Sequence, residues 1–162
     1  MNRKNFQGKN GVYVIAEIGG NHEGDFEYAK HLTKLAAQSG VDAVKFQIYT
    51  GETLVNKKYD PNRHKHFKRF QLKKHEYIEL AILCKKLGTN FMASVWDLDA
   101  ISYIDKYIQI YKIGSGDLTS YNLIKKFLLT SKPIIISTGL AKFKEVEDVI
   151  KFINETDSKY IE

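Results

Sequence analysis

The chain has 162 residues, 43% of them hydrophobic and 27% charged, with a formal net charge of +6. This composition is typical of globular proteins and excludes the disordered and fibrous classes. No apolar run approaches the roughly 20 residues of a membrane-spanning helix, and no apolar signal core follows the charged first residues. We therefore expect a cytoplasmic protein that does not bind membranes. The one cysteine, Cys84, excludes an internal disulfide and a cysteine-based metal cage within this chain.

The first predicted elements form a strand–helix–strand unit. Residues 12–18 (VYVIAEI) are nearly all apolar, which predicts a strand buried on both faces of a parallel sheet. Asp25 is a predicted helix N-cap, after which apolar residues recur at helical spacing until Gly40 ends the helix. Residues 43–49 follow almost at once and predict a second strand.

The net charge is concentrated in residues 51–75, which hold eight basic residues against Glu52 and Asp60. Aromatic residues lie among the basic ones, a mixture also found on surfaces that bind single-stranded nucleic acid. A solvated loop, or a lid that attracts a small anion, explains the same segment. Because one short basic segment needs only a compact anion as its partner, we expect a basic loop inserted after the second strand and no nucleic-acid binding.

The rest of the chain continues the alternation of helices and strands. The predicted helices cover residues 74–87, 97–106, 121–130 and 142–154, and the predicted strands cover residues 91–96, 110–113 and 133–138. Residues 159–162 are interpreted as the start of a sixth strand. With no linker or low-complexity stretch between these elements, residues 1–162 are expected to form a single partial domain.

Strict alternation of strand and helix predicts an α/β fold with a parallel sheet. A doubly wound open sheet and a TIM-type (β/α)8 barrel both have this order of elements. No Gly-x-Gly-x-x-Gly pattern follows the first strand, which disfavours the dinucleotide-binding form of the open sheet. A complete barrel needs about 250 residues. Five βα units and the start of a sixth strand therefore predict an incomplete barrel.

Polar residues collect at the carboxyl end of every predicted strand, where the catalytic groups of parallel barrels lie. They include Glu17, Asn21, Lys45, Gln47, Ser94, Lys112, Ser115 and Ser137. A lysine in an apolar strand is costly to bury without an anion, so Lys45 and Lys112 indicate a phosphate or carboxylate site. Taken singly, a strand lysine is more often an edge residue, and Ser137 is more often part of a helix cap. The agreement of five strand ends is what favours an anion site.

Four segments carry a more specific pattern: AEIGGNHEGD at 16–25, DAVKFQ at 42–47, YKIGSGDLT at 111–119 and KPIIISTGLA at 132–141. In order and spacing they resemble the N-acetylneuraminate (sialic acid) synthase family. The resemblance implies a (β/α)8-barrel enzyme that condenses phosphoenolpyruvate with N-acetylmannosamine or a related amino sugar. This C–C bond-forming transfer releases phosphate and gives a nine-carbon 2-keto acid.

The resemblance also implies roles for individual residues. The residues that match phosphoenolpyruvate-binding positions are Lys45, Lys112, Ser115 and Ser137. Glu17 matches a carboxylate that contacts the reacting sugar or the attacking water, so Glu17, Lys45 and Lys112 are the expected catalytic residues. Further substrate contacts are expected from Gln47, Ser94 and Asn21. Ser94 stands where the family usually has threonine, in a stretch that here reads ASVW.

A divalent metal, Mn²⁺ or Mg²⁺, is implied by the same resemblance, with ligands on strands later than those of this sequence. No metal ligand is therefore predicted within the chain. The chain is expected to represent the amino-terminal part of a synthase, as a homodimer or with a carboxyl-terminal half that is missing from this sequence.

Two other functions remain open from the sequence. A related barrel that condenses phosphoenolpyruvate with another aldose, such as an arabinose or erythrose phosphate, would need a similar anion site. A catalytically inactive module that binds an anion, or pairs with a second polypeptide, would keep the anion contacts without turnover. The Asn-His-Glu-Gly and Ser-Gly-Asp elements favour the sialic acid branch.

Overall fold

The computed structural model describes residues 7–157 and has an α/β architecture. The chain forms two compact units that divide between Gln109 and Ile110. The predicted sixth strand at 159–162 lies outside the described residues. The expectation of a single domain stays a prediction.

The first unit is built on three parallel strands, with β4 in the middle. A short antiparallel hairpin of β1 (Gln7–Gly8) and β2 (Gly11–Val12) precedes the parallel strands β3 (Ile15–Gly19), β4 (Ala43–Ile48) and β5 (Asn90–Val95). β4 is almost completely buried, as expected for an apolar strand that is paired on both sides.

The first long strand starts later than its apolar pattern predicts. Val12 belongs to the hairpin and is 76% exposed, so the prediction of one buried strand over 12–18 is wrong in its first half. The Asp42 carboxylate accepts the backbone N–H groups of Lys9 and Val14, each at 2.8 Å, and ties the hairpin to the start of β4. A tertiary contact, which apolar periodicity does not reveal, therefore decides where β3 begins.

The helices of the first unit follow the predicted order. They are α1 (Phe26–Gln38), α2 (Gly51–Leu54), α3 (Pro61–Phe70), α4 (Lys74–Lys86) and the short α5 (Ile101–Ile104), which lies between two single 3-10 turns. The N-cap prediction is confirmed, because Asp25 Oδ1 accepts the Tyr28 N–H at 2.9 Å. Gly40, just after α1, has a φ of +83°, which is the left-handed conformation that glycine allows at a helix end.

The basic segment at 51–75 contains two helices, α2 and α3, where we predicted a loop. Asp60 Oδ1 accepts the Arg63 N–H at 2.9 Å, and a proline stands in the first turn of α3. Glu52 of α2 accepts hydrogen bonds from His64 at 2.9 Å and from Lys68 at 2.7 Å, both on α3. Capping and one cross-helix cluster thus order a segment whose high charge suggested a solvated loop.

The second unit consists of two βα pairs. Its elements are β6 (Ile108–Ile113), which begins in the first unit, α6 (Tyr121–Leu128), β7 (Ile134–Ile136) and α7 (Phe143–Asp157). β6 and β7 are parallel, with Lys112 opposite Ile135. The rings of Tyr111 and Phe127 stack with centroids 4.4 Å apart and anchor α6 on β6.

Candidate active site

Four of the predicted site residues share one face of the sheet in the first unit. The register of the parallel strands places Glu17 opposite Lys45 and Gln47 opposite Ser94. Side chains of residues two apart in a strand point to the same face, and so do those of directly paired residues. The side chains of Glu17, Lys45, Gln47 and Ser94 therefore lie on a single face at the carboxyl ends of these strands.

Lys45 has the anionic partner that an apolar strand requires. Its ammonium group forms an ion pair with a carboxylate oxygen of Glu17. The Lys45 side chain is only 7% exposed, whereas that of Glu17 is 53% exposed. The pair therefore joins a buried cation to a carboxylate that solvent or a ligand can reach, which suits a site that exchanges one anion for another.

Gly19 allows the polar groups at these strand ends to come close together. Its φ is +56°, and a Cβ at this position would lie 3.3 Å from Glu17 Oε1 and 3.6 Å from Gln47 Nε2. A side chain at position 19 would therefore be strained and would press on the Glu17 carboxylate. Gly19 ends β3 and leaves room for the Glu17 side chain, and its position two residues after Glu17 is the sequence signal for that role.

Tyr77 is a further residue at this site that sequence reasoning missed. It is fully buried on α4, and its hydroxyl donates a hydrogen bond of 2.8 Å to the backbone carbonyl of Gln47. Burial raises the pKa of Tyr77 well above its usual range, so the hydroxyl keeps its proton. Tyr77 thereby fixes the end of β4, which carries Lys45 and Gln47. A tyrosine on an apolar helix face is the only signal that the sequence offers.

The turn after β3 carries Asn21 and a buried histidine. Asn21 is exposed, and its backbone N–H donates to the Ile18 carbonyl at 3.0 Å. His22 is buried, and its Nδ1 accepts the Gly24 N–H at 3.1 Å. Burial is the main cause that lowers the pKa of His22, so the ring is neutral and shapes the turn.

Helix α3 docks beside this turn through backbone contacts. A Cβ at Gly24 would collide with the backbone carbonyl oxygen of Arg69. A Cβ at Gly51 would lie 2.7 Å from the backbone nitrogen of Lys68. The guanidinium nitrogen Nη2 of Arg69 also lies 3.5 Å from the carboxylate oxygen Oε2 of Glu23 in the turn. The two glycines therefore let α3 approach closely, and they bring the basic segment beside the turn that follows β3.

The second unit holds the other predicted lysine. Lys112 Nζ donates to Ser137 Oγ at 2.7 Å and to the Ile113 carbonyl at 2.6 Å. The Ser137 N–H donates to the same Ile113 carbonyl at 3.1 Å. Two predicted site residues, Lys112 and Ser137, therefore contact each other at the carboxyl ends of β6 and β7.

Ser115 lines a cavity of about 220 Å³ within the second unit. Thr119, Gly139 and Glu145 also line it, and a Cβ at Gly139 would lie 3.4 Å from Ser115 Oγ. Hydroxyl groups and glycine backbone are donors that suit an anionic ligand. This cavity is large enough for a small group such as a phosphate.

The described residues do not fit the divalent metal that the resemblance implies. Within residues 7–157, no group of three or more histidine, cysteine, aspartate or glutamate side chains is placed to hold a metal ion.

In the same part of the chain, no helix is both long and apolar enough to span a membrane.

Several known proteins resemble this chain over most of its length. A family model described as the NeuB family matches residues 32–161. An uncharacterized protein of Methanocaldococcus jannaschii is 36% identical over 151 residues, covering 93% of this chain and 44% of that protein. The N,N'-diacetyllegionaminic acid synthase of Campylobacter jejuni is 30% identical over 159 residues, covering 90% of this chain and 48% of that enzyme.

A solved structure shows the same arrangement of elements. The N-acetylneuraminic acid (sialic acid) synthetase from Leptospira borgpetersenii, in complex with citrate, matches with a TM-score of 0.84 and 26% identity. The match covers 91% of this chain and 51% of that one. It confirms the predicted α/β parallel repeat as an incomplete TIM-type barrel. The chain spans about half the length of the curated relatives it matches.

Proposed function

Because this chain belongs to the NeuB family, we propose that it supplies phosphoenolpyruvate-binding strand ends to a synthase of the sialic acid type. The reaction joins phosphoenolpyruvate to an open-chain amino sugar, such as N-acetylmannosamine, and gives a nine-carbon 2-keto acid and phosphate. The Campylobacter and Leptospira relatives are named as synthases of acetylated sugar acids, which supports an amino sugar as the second substrate.

One observation carries this proposal: the register that puts Glu17, Lys45, Gln47 and Ser94 on one face. A cation, an amide and a hydroxyl are the groups that bind a carboxylate or phosphate ester. A carboxylate beside these groups would repel such an anion. Its presence at this position is explained if it has a role of its own in the reaction. We assign that role to Glu17, as the acceptor of the proton of a water molecule.

In the proposed reaction, C3 of phosphoenolpyruvate attacks the aldehyde carbon of the sugar with the electron pair of its double bond. The aldehyde oxygen takes up a proton and becomes a hydroxyl group. Water adds to C2 and gives its proton to Glu17. The bond from C2 to the phosphate oxygen then breaks, the C2 hydroxyl group gives up its proton to the departing phosphate, and the 2-keto group remains. The proton that Glu17 accepts balances the one that the aldehyde oxygen takes up. Holding both substrates in position supplies a large part of the rate.

The remaining predicted residues act as anion contacts. In the first unit, Lys45 exchanges part of its contact with Glu17 for the substrate, and Gln47 and Ser94 donate hydrogen bonds to it. In the second unit, the hydroxyl group of Ser137 orients Lys112 for the same kind of contact at 2.7 Å. The Ser115 hydroxyl adds a donor in its cavity. Asn21, in the exposed turn after β3, is assigned to the sugar.

Titration calorimetry with phosphoenolpyruvate tests the anion site directly. We expect saturable binding to the chain, and competition by citrate, the anion named with the Leptospira relative. Phosphate release is then measured with N-acetylmannosamine and Mn²⁺, with mannose as the matched sugar that lacks the acetamido group. Absence of phosphoenolpyruvate binding would overturn the proposal. Binding without release, in the chain and in any longer form of it, would instead support an inactive anion-binding module.

A further inference from the structure

A second cavity lies in the first unit, at the end of the sheet opposite the candidate active site. Its volume is about 650 Å³, within the range of small-molecule sites. It is lined by the last turns of α4, the start of β5 and the 3-10 turn before β6. Asn90 lines it and Ser94 lies at the other end of β5, roughly 13 Å away at the usual rise of a strand. None of the candidate active-site residues lines this cavity.

The floor of the cavity is apolar. Ala81 and Phe91 are each 3% exposed, and Ile82 at the edge is 38% exposed. Two polar side chains of the wall are already engaged, since Thr89 donates to the Val41 carbonyl at 3.2 Å and the Asn90 amide donates to the Tyr13 hydroxyl at 2.9 Å. The floor is therefore closed by apolar side chains, and Ile82 at its edge offers contact area to an apolar group.

The rim of the cavity is cationic. Lys85 and Lys106 line it, and neither makes an ion pair within residues 7–157. A third lysine, Lys9, donates from its Nζ to the Gly88 carbonyl at 2.6 Å, and Gly88 also lines the cavity. Ala81 and Lys85 are four residues apart on α4, so they share one face of that helix. An apolar floor and a cationic rim are therefore parts of one concave surface.

We propose that this cavity binds a small organic acid, with its apolar body on Ala81, Ile82 and Phe91 and its carboxylate at Lys85 and Lys106. Binding buries apolar area that is now exposed to water, mainly on Ile82, and it gives both ammonium groups an anionic partner. The ligand lies away from Glu17 and Lys45, so it is neither substrate nor product of the proposed reaction. The site is independent of the proposed function.

Titration with 2-naphthoate, followed by ¹H–¹⁵N NMR, tests this site. The probe combines a flat apolar body with one carboxylate, and 2-naphthalenemethanol is the matched neutral probe. We expect naphthoate to shift the amide signals of residues 88–91, 106 and 107 in a saturable way. The neutral probe should bind about tenfold more weakly, because one charge-assisted hydrogen bond contributes roughly 1.5–3 kcal/mol.

Two variants separate this site from general attraction to a basic chain. The double variant Lys85→Gln/Lys106→Gln should weaken naphthoate binding about tenfold or more by the same reasoning. Lys86→Gln removes an equal charge from the neighbouring position, which does not line the cavity, and should leave the affinity unchanged. All three lysines are exposed, so the variants are expected to fold.

The proposal is overturned if naphthoate shifts no amides of this region, or if both probes bind equally well. It is also overturned if Lys86→Gln weakens binding as much as the double variant does. Phosphoenolpyruvate binding by a Lys45 variant tests only the proposed function, because Lys45 does not line this cavity. The proposed function and the organic-acid site can therefore be refuted independently.

Discussion

Lys45 and Lys112 are both strand lysines with apolar neighbours, but the structure holds them in different ways. Lys45 is paired with the carboxylate of Glu17, whereas the contacts of Lys112 include the Ser137 hydroxyl and the Ile113 carbonyl. A carboxylate partner neutralises a lysine, and contacts with a hydroxyl group and a carbonyl group fix the direction of its N–H groups. An anionic substrate must therefore compete with Glu17 for the first lysine, and it meets the second lysine beside the Ser137 hydroxyl.

Lys45→Met should give the largest effect on phosphoenolpyruvate binding. The substitution removes a cation and also leaves the Glu17 carboxylate facing an anionic substrate. We expect an affinity loss of about 100-fold, since charged hydrogen bonds contribute roughly 1.5–3 kcal/mol each. Titration calorimetry measures it, and Lys34→Met, an exposed change on α1, is the control. An affinity within threefold of the parent protein would remove Lys45 from the site.

Lys112→Met should weaken phosphoenolpyruvate binding less, by about tenfold. Lys112→Met removes the donor to the Ser137 hydroxyl and the Ile113 carbonyl, whereas Lys45→Met leaves the Glu17 carboxylate facing the substrate. The same titration gives the ratio of the two losses. Equal losses for Lys45→Met and Lys112→Met would contradict the larger role given to the pair of Lys45 and Glu17.

Glu17→Gln should change binding in the opposite direction. The amide still accepts a hydrogen bond from Lys45 but no longer neutralises its charge, so phosphoenolpyruvate should bind about threefold more tightly. Phosphate release by an active form of the protein should fall by about 100-fold, because the proposed proton acceptor is lost. Glu23→Gln, in the turn that follows β3, is the matched control. Weaker binding by the Glu17 variant would argue that Glu17 positions the substrate instead.

Glu52→Gln should affect stability and leave phosphoenolpyruvate affinity unchanged. Hydrogen bonds from Lys68 and then from His64 lower the pKa of Glu52 to about 2. A carboxyl group whose pKa is lower in the folded protein stabilises it above the ordinary pKa of about 4.5, and this contribution is lost as the pH falls toward 2.

Thermal unfolding of the parent protein and Glu52→Gln checks this prediction. The variant should have the lower Tm at pH 7, by a few degrees at most because Glu52 and Lys68 are exposed, and the difference should shrink as the pH falls from about 4.5 to about 2. A constant difference across that range would show that the charge of Glu52 is not the cause. A change in phosphoenolpyruvate affinity would mean that α2 and α3 act on the anion site.

The order of strands and helices was predictable because buried parallel strands have a simple pattern. The apolar run that contains Lys45 could only be a short buried element, and Asp25 and Gly40 marked the two ends of α1. The start of β3 was not predictable, since it depends on hydrogen bonds from Lys9 and Val14 to Asp42, about 30 residues away in sequence.

The candidate site was predictable as a set of residue types but not as a set of contacts. Strand-end position and an apolar setting were enough to select Lys45 and Lys112. The pairing of Lys45 with Glu17 depends on the register of two strands, and the contact of Tyr77 with Gln47 depends on how α4 packs. Neither relation leaves a local signal in the sequence, so both had to come from the structure.

Gly24 and Gly51 determine which parts of the surface near the candidate active site can change between related proteins. Both contact the backbone of α3 and not the ends of its side chains. The position of α3 therefore depends on two glycines outside it. The exposed side chains of α3 are not needed to hold the helix in place. Substitutions on its outer face can alter the charge or size presented there while the helix stays in place. Related proteins can therefore differ in the charge of this helix without a change in the scaffold that holds the strand ends.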